Sequence, residues 1–312
     1  MAIDPKPWKY KEGYILGGAF VLIGIVLQMT VGPVNWRFFS WPVNIITVSI
    51  LFFLSVTIFA LRDKVCLFHY LGTLPSSVPV MTIAVILTII MGLTRQVDPG
   101  TPAPDPLGFR YMLTSWPFVL IFSLLVLTVF QAFLVQATRP SLKTLPALAF
   151  HLGFVLVLVG GTLGSPDITS VSMALDKEHP QWKGTDEYGD ELEMPLAIQL
   201  VSFDIEYFRP EGTDSTSMKR MMPRKFLGKV HYWTKEGDAG LADIEVNKPY
   251  KIGNHKVYLE DYEMGENGTV DTCSVAVVAD SWQWVVYLGA FLLLFAALAL
   301  VFMPRKKKEI SK

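Results

Sequence analysis

The stretch Leu145–Leu163 reads LPALAFHLGFVLVLVGGTL, and it decides the class of fold. It contains no Asp, Glu, Lys or Arg, and it approaches the roughly 20 residues that a helix needs to cross a bilayer. Its one ionisable residue is His151. An ionisable side chain at membrane depth is costly unless it finds a partner or a ligand, so it is a functional candidate by default.

Five further segments are also long and apolar and contain no Asp, Glu, Lys or Arg. Hydrophobic residues make up 51% of the 312-residue chain, which is too apolar for an ordinary soluble domain. One long charged region, Gly164–Gln283, separates the last segment from the others. We therefore predict a membrane protein of six helices with one extramembrane domain. The five further spans are Tyr14–Val31, Val43–Leu61, Val78–Leu93, Leu113–Ala137 and Trp284–Met303.

Lys and Arg in the short loops predict the orientation, because cytoplasmic loops carry an excess of both. One side would hold Lys6, Lys9, Lys11, Arg62, Lys64, Arg139, Lys143 and the basic tail Arg305–Lys312, and the other only Arg37, Arg95 and Arg110. Both termini are predicted to be cytoplasmic, and the large domain to be periplasmic in a bacterial inner membrane. Aromatic residues near the span ends are typical of an interfacial belt; they include Trp36, Trp41, Trp116 and Trp282.

The extramembrane region is predicted to be rich in β-strand. Leu196–Phe208 alternates apolar and polar residues, although Val201 interrupts the period. Shorter candidates separated by turn residues favour an antiparallel sheet or sandwich. The polar stretch His179–Glu193 is predicted to be a loop. The shorter strand candidates are Phe226–Thr234, Leu241–Val246, Lys256–Tyr262 and Thr272–Ala279.

These patterns divide the chain into four parts. Residues 1–65 hold two N-terminal transmembrane helices, and residues 66–163 hold a transmembrane core of three. Residues 164–283 form the periplasmic β-rich domain, and residues 284–312 the last helix with its basic tail.

Several classes of function lack support in the sequence. A net charge of −1 and the absence of a known motif give no hint of nucleic acid. Cys66 and Cys273 form no CxxC or CxxCH motif, and the predicted topology puts them on opposite sides of the membrane. We find no nucleophile triad and no paired carboxylates within a span, so a hydrolase or a proton pump is not supported.

Three roles are open for His151 on the residues alone. It could pack against a neighbouring helix or a lipid headgroup, relay protons, or bind a metal ion or the iron of a haem. A proton relay normally needs further carboxylates in the spans, and this chain has none there. A haem needs one or two axial ligands in an apolar, aromatic pocket. A second ligand would come from another chain or from His69, the weaker candidate, while His179, His231 and His255 suit surface or structural roles.

The order of these parts resembles the ResB (CcsB) family of cytochrome c biogenesis proteins. Spans one and two precede the part that is similar. The resemblance is carried by Tyr70–Ser77, Gly92–Gln96, His151–Gly161, Pro195–Phe208, Val246–Tyr258 and Trp284–Gly289.

The resemblance implies a subunit of a System II complex that moves haem across the membrane and delivers it to apocytochrome c. By family, His151 is one axial ligand of a membrane haem b, and a partner of the CcsA (ResC) type supplies the other. The Trp-rich motif of that partner is absent here, so the resemblance places the external haem site on the partner. The synthase chemistry is expected in the complex, and this chain is expected to be a non-catalytic subunit of it. Two alternatives remain: a haem-b anchor of a respiratory electron-transfer complex, and a cofactor-free membrane scaffold.

Overall fold

A computed structural model describes residues 8–97, 105–207, 223–265 and 269–302. The chain forms two compact units. Residues 1–167 and 282–312 make up the first, here called the membrane unit, and residues 168–281 make up the second, the β domain. Lys6 and the basic tail Arg305–Lys312, on which the predicted orientation partly depends, lie outside the described residues.

The described part of the membrane unit contains six helices that are long and apolar enough to cross a membrane, as the sequence predicts. The bounds of α6 agree with the prediction, and those of the other spans differ by a few residues at their ends. A seventh, short helix lies in the segment predicted as a loop between the second and third spans. The helices are α1 Tyr10–Val31, α2 Val43–Ala60, the short α3 Cys66–Leu71, α4 Leu74–Leu93, α5 Trp116–Ala137, α6 Leu145–Leu163 and α7 Gln283–Phe302.

Proline marks the start of three of these helices. Pro75, Pro117 and Pro146 each lie in the first turn of α4, α5 and α6. A proline is tolerated there because its missing N–H would have had no partner within the helix, and its fixed φ already suits helical backbone.

Helix α5 lies at the centre of the membrane unit. It contacts α1, α2, α3, α4 and α6, whereas α7 packs mainly against α6. The core around α5 is built from aliphatic and aromatic side chains such as Val80, Ile121 and Leu125. The arrangement places α6, which carries His151, between the central helix and α7.

The described residues of the β domain form one antiparallel sheet of eight strands in the order β5-β4-β3-β2-β1-β8-β7-β6. The sheet curls, so that edge strand β5 approaches β6 and β7. Alternate residues of the strands, such as Val171, Ile198 and Val275, fill a single core. The strands are β1 Thr169–Asp176, β2 Gln181–Asp186, β3 Glu191–Tyr207, β4 Pro223–Thr234, β5 Ala239–Glu245, β6 Tyr250–Ile252, β7 His255–Met264 and β8 Val270–Ala279.

The predicted loop His179–Glu193 is wrong, because it contains β2 and the start of β3. The hairpin is built from polar residues: Lys183 of β2 forms salt bridges with Glu191 and Glu193 across the pair. Since none of its residues is buried, β2 shows no apolar alternation that a sequence pattern could detect.

The interruption at Val201 has a structural cause. The pairing of β3 with β4 shifts between Leu200 and Ser202, so Val201 is the extra residue of a β-bulge. Its side chain is 46% exposed. The bulge explains why the alternation of buried residues breaks at this position of the longest strand.

Candidate functional site

The start of α6 is well anchored by local hydrogen bonds. The backbone N–H of Ser141 donates to Thr144 Oγ1 at 2.9 Å, and the N–H of Thr144 donates to Ser141 Oγ at 3.2 Å. The reciprocal pair holds the turn that leads into Leu145, the first residue of the helix. His151 follows six residues later, about 9 Å along the axis at 1.5 Å per residue.

The imidazole of His151 is oriented by its own helix. Nδ1 lies 2.6 Å from the carbonyl oxygen of Ala147, one turn earlier. A carbonyl oxygen can only accept, so Nδ1 carries the hydrogen of this bond, and in a neutral imidazole the lone pair then lies on Nε2. Histidines that bind metals are usually fixed in this way, with one ring nitrogen bonded to a carbonyl or carboxylate and the other directed to the metal.

The surroundings of His151 are apolar and aromatic. Phe154, Val155 and Leu158 follow it by three, four and seven residues, which places all of them on one face of α6. All three pack against the core of the membrane unit. The ring of Phe150 meets His151 edge-on at 5.6 Å between centroids and stacks on Phe154 at 6.1 Å. An apolar environment with aromatic rings is the kind of surface that receives a porphyrin.

The opposite face of α6 fixes the helix against α7. A Cβ built on Gly153 would lie 2.7 Å from the carbonyl oxygen of Gly289, and one on Gly289 would lie 2.8 Å from that of Gly153. The two backbones therefore touch, as in other membrane helix pairs that meet at small residues. Because Gly153 is two residues from His151, this contact controls the depth and rotation of the histidine.

His69, the weaker ligand candidate, is exposed on α3. That short helix packs against α2, α4 and α5. His69 forms no hydrogen bond or ring contact with His151 in the part of the chain that the structure describes. No group of three or more His, Cys, Asp or Glu side chains within the described ranges is placed to hold a metal ion.

A polar cluster that sequence reasoning missed lies where the chain leaves the membrane unit. Asp167 accepts hydrogen bonds from the backbone N–H of Trp41 at 2.7 Å, from Asn44 Nδ2 at 2.6 Å and from Trp282 Nε1 at 2.8 Å. Asn44 is fully buried and also donates to the carbonyl of Leu163 at 3.1 Å. The Asp167 cluster thus joins the start of α2, the end of α6 and the residue before α7.

The two cysteines lie in different units, Cys66 on α3 and Cys273 on β8. Cys273 is 2% exposed, and burial raises the pKa of its thiol from 9.0 to about 11. The thiolate is the nucleophile in cysteine chemistry, so Cys273 suits packing and not catalysis.

Comparison with known protein families and solved structures finds similar proteins. Residues 125–281, half of the chain, match the profile of the ResB-like family. A solved structure described as "Cytochrome c Heme Lyase CcmF" aligns with 80% of this chain and 45% of its own, at 13% identity and a TM-score of 0.38. The chain therefore spans less than half of that protein. No curated protein sequence matches it.

Proposed function

The chain belongs to the ResB-like family, and from that premise we propose that it handles haem as a membrane subunit in cytochrome c biogenesis. Family membership supports the role in cytochrome c biogenesis, and the matched segment includes all of α6 with His151. The proposal has two further parts: the residue of this chain that binds the haem iron, and the partner chain that supplies the second ligand.

His151 is proposed to be one axial ligand of a haem b that is the cargo of the complex. The observation that carries this proposal is the bond from Nδ1 to Ala147, which leaves Nε2 available to iron. Phe150 and Phe154 supply the flat apolar surface beside it. The haem would bring the iron and the vinyl groups that couple to cysteine thiols of apocytochrome c, while this chain would hold and orient it.

The second axial ligand is proposed to come from a membrane partner of the CcsA (ResC) type. His151 is the only histidine within the six spans, and it is partly exposed at the surface of the membrane unit. His69 is the alternative within the chain. Because Cys273 is buried with a raised pKa, we assign thioether formation to the complex and not to this chain. The β domain would lie in the periplasm and contact apocytochrome c.

The test compares His151→Gly with His69→Ala, each produced together with the partner and purified in detergent. We expect His151→Gly to lose haem absorbance and cytochrome maturation, and imidazole in the medium to restore part of both. Added imidazole can occupy the space of the missing side chain and offer the same nitrogen ligand. His69→Ala should keep its haem, because that side chain is exposed on a short helix.

Two results would contradict parts of this proposal. Wild-type haem content and maturation in His151→Gly would remove the ligand assignment. Full haem retention by the chain purified alone would favour an anchor for electron transfer over a shared site. Elution at the wild-type volume on size exclusion shows that the variant is folded, so a loss of haem can then be assigned to the ligand.

A further inference from the structure

A row of aromatic rings lies on α2 and α5. The ring centroids of Phe52 on α2 and Phe130 on α5 are 6.0 Å apart. Phe130 in turn stacks on Phe133 at 5.7 Å, with 15° between the two ring planes. This near-parallel stack resembles that of Phe150 on Phe154 in α6, whose planes differ by 7°. The rings of Phe52, Phe130 and Phe133 are here called the α2–α5 row.

The α2–α5 row lies at about the same depth in the membrane unit as His151. Helices α5 and α6 pack against each other and are joined by the linker 138–144, so they run in opposite directions. At 1.5 Å per residue, Phe130 and Phe133 lie about 10 Å and about 6 Å before the end of α5. His151 lies about 9 Å after the start of α6, which is between these two values.

The row also turns towards the side of α5 on which α6 packs. Helix α2 meets α5 at Gln131, whose Nε2 donates to a backbone carbonyl of α2. Gly72, just before α4, lies beside Gln131, and α1 packs on Pro117, about 40° further round α5. Phe130 and Phe133 point about 100° and about 160° away from Gln131 in the opposite direction. That side of α5 is the one left for α6, which also packs against it.

His151 faces α5 across this space. Gly153 marks the face of α6 that touches α7, and His151, two residues earlier, points about 160° away from it. Arg139 and Lys143 are exposed in the linker that joins the two helices. The space between the two helices thus has aromatic rings on both sides, an imidazole between them and two cations at the linker end. A porphyrin has the matching chemistry, because it is a flat apolar ring with two carboxylates at one edge.

Resting on the proposed function, we infer that the α2–α5 row is the second wall of the haem site. The site then recognises the porphyrin ring as well as the iron. Stacked rings contribute contacts that do not depend on a metal, whereas His151 contributes only through iron. The two carboxylates would point to Arg139 and Lys143. Because Phe52 belongs to α2, a helix that precedes the residues matched by the family would take part in binding haem.

The test uses metal-free protoporphyrin IX, which has the ring of haem but no iron for His151 to bind. The full chain in lipid nanodiscs is titrated with it, and porphyrin fluorescence is read against empty nanodiscs. We expect Phe130→Leu/Phe133→Leu to bind it about tenfold more weakly than the wild type, since each lost ring contact costs about threefold. Leucine keeps both positions apolar, and elution at the wild-type volume on size exclusion shows that the variant is folded.

The matched control is Phe291→Leu/Phe295→Leu on α7. These two side chains are 65% and 40% exposed, and α7 packs on the other face of α6. The control should bind metal-free porphyrin as the wild type does. Wild-type affinity in Phe130→Leu/Phe133→Leu, an equal loss in the control, or no saturable binding above empty nanodiscs would overturn the inference.

The dimethyl ester of protoporphyrin IX tests the position of the carboxylate edge. Arg139→Gln/Lys143→Gln should bind the free acid about threefold more weakly than the wild type, because exposed ion pairs are lost. The same variant should bind the ester, which has no carboxylates, as tightly as the wild type does. Equal losses for acid and ester, or no loss for either, would overturn the assignment of this edge to the linker.

The His151→Gly variant separates this inference from the proposed function. It should bind metal-free porphyrin with wild-type affinity and haem more weakly. If Phe130→Leu/Phe133→Leu weakens both ligands while His151→Gly binds haem normally, the ligand assignment falls and the second wall stands. If only His151→Gly loses haem, and Phe130→Leu/Phe133→Leu binds both ligands normally, the second wall falls and the ligand assignment stands.

Discussion

Replacing Gly153 by alanine should destabilise the membrane unit, whereas the same change at Gly161 should not. Both residues lie on α6. A Cβ on Gly153 would meet the Gly289 carbonyl oxygen at 2.7 Å, Leu292 Cβ at 2.9 Å and the Leu293 nitrogen at 3.1 Å. None of these atoms is the far end of a flexible side chain, so α7 itself must move. A Cβ on Gly161 would meet nothing within 4 Å.

The pair of variants isolates the cost of packing. Alanine is favoured over glycine in a helix by about 1 kcal/mol, and both variants gain this amount. Only Gly153→Ala meets the overpacking cost, which is about 1–3 kcal/mol for inserted groups in a close-packed interior. The difference between the two free energies of unfolding should therefore be about 1–3 kcal/mol. In absolute terms, Gly161→Ala should be unchanged or slightly more stable than the wild type.

Both variants are unfolded by titration with a denaturing detergent and followed by tryptophan fluorescence in the same micelle. The difference in unfolding free energy is read from the midpoints at equal slope. Haem content, measured on the same samples, shows whether moving α6 also disturbs His151. Equal unfolding curves for Gly153→Ala and Gly161→Ala would refute the close backbone contact between α6 and α7.

Two further predictions concern the β domain. With Cys66 replaced by serine, Cys273 should react with iodoacetamide about a hundredfold more slowly in the folded chain than in denaturant, because burial raises its pKa from 9.0 to about 11; equal rates would contradict its burial. The pKa of Asp176 is lowered from 3.8, chiefly because its carboxylate accepts a hydrogen bond from the backbone N–H of His179. The ionised carboxylate therefore stabilises the fold above pH 3.8, and this stabilisation is lost as the pH falls through the lowered pKa. Asp176→Asn should flatten the pH dependence of unfolding below about pH 4, measured by circular dichroism, and an unchanged slope would show that the carboxylate contributes nothing.

The sequence predicts elements well where one physical signal is strong. The bounds of α6 follow from the apolar run Leu145–Leu163, and the structure gives the same helix. Strand β3 was found because buried residues alternate along most of it. Strand β2 is not predicted because none of its residues is buried, and its pairing is supported by salt bridges from Lys183 to two glutamates.

The candidate site was predictable in part for the same reason. His151 stands out because a single ionisable side chain interrupts an apolar helix. The Asp167 cluster could not be predicted, since Trp41, Asn44 and Trp282 lie more than 100 residues from Asp167 along the chain. Each of them has an ordinary explanation by itself, as a belt residue or a polar residue near a helix end. Only the fold brings their donors to one carboxylate.

The family match begins only at residue 125, so it does not include α1 or α2. The contacts of these two helices with α5 indicate what they do. Gln131, 1% exposed on α5, donates from Nε2 to the carbonyl of Ser55 on α2 at 2.8 Å. A Cβ on Gly24 of α1 would lie 2.5 Å from the backbone of Pro117 on α5. Without α2 the buried amide of Gln131 would lose this acceptor, at a cost of about 1–3 kcal/mol for an unsatisfied buried group. The two N-terminal helices therefore complete the polar bonds and the packing of α5, and α5 is the helix against which α6 holds His151.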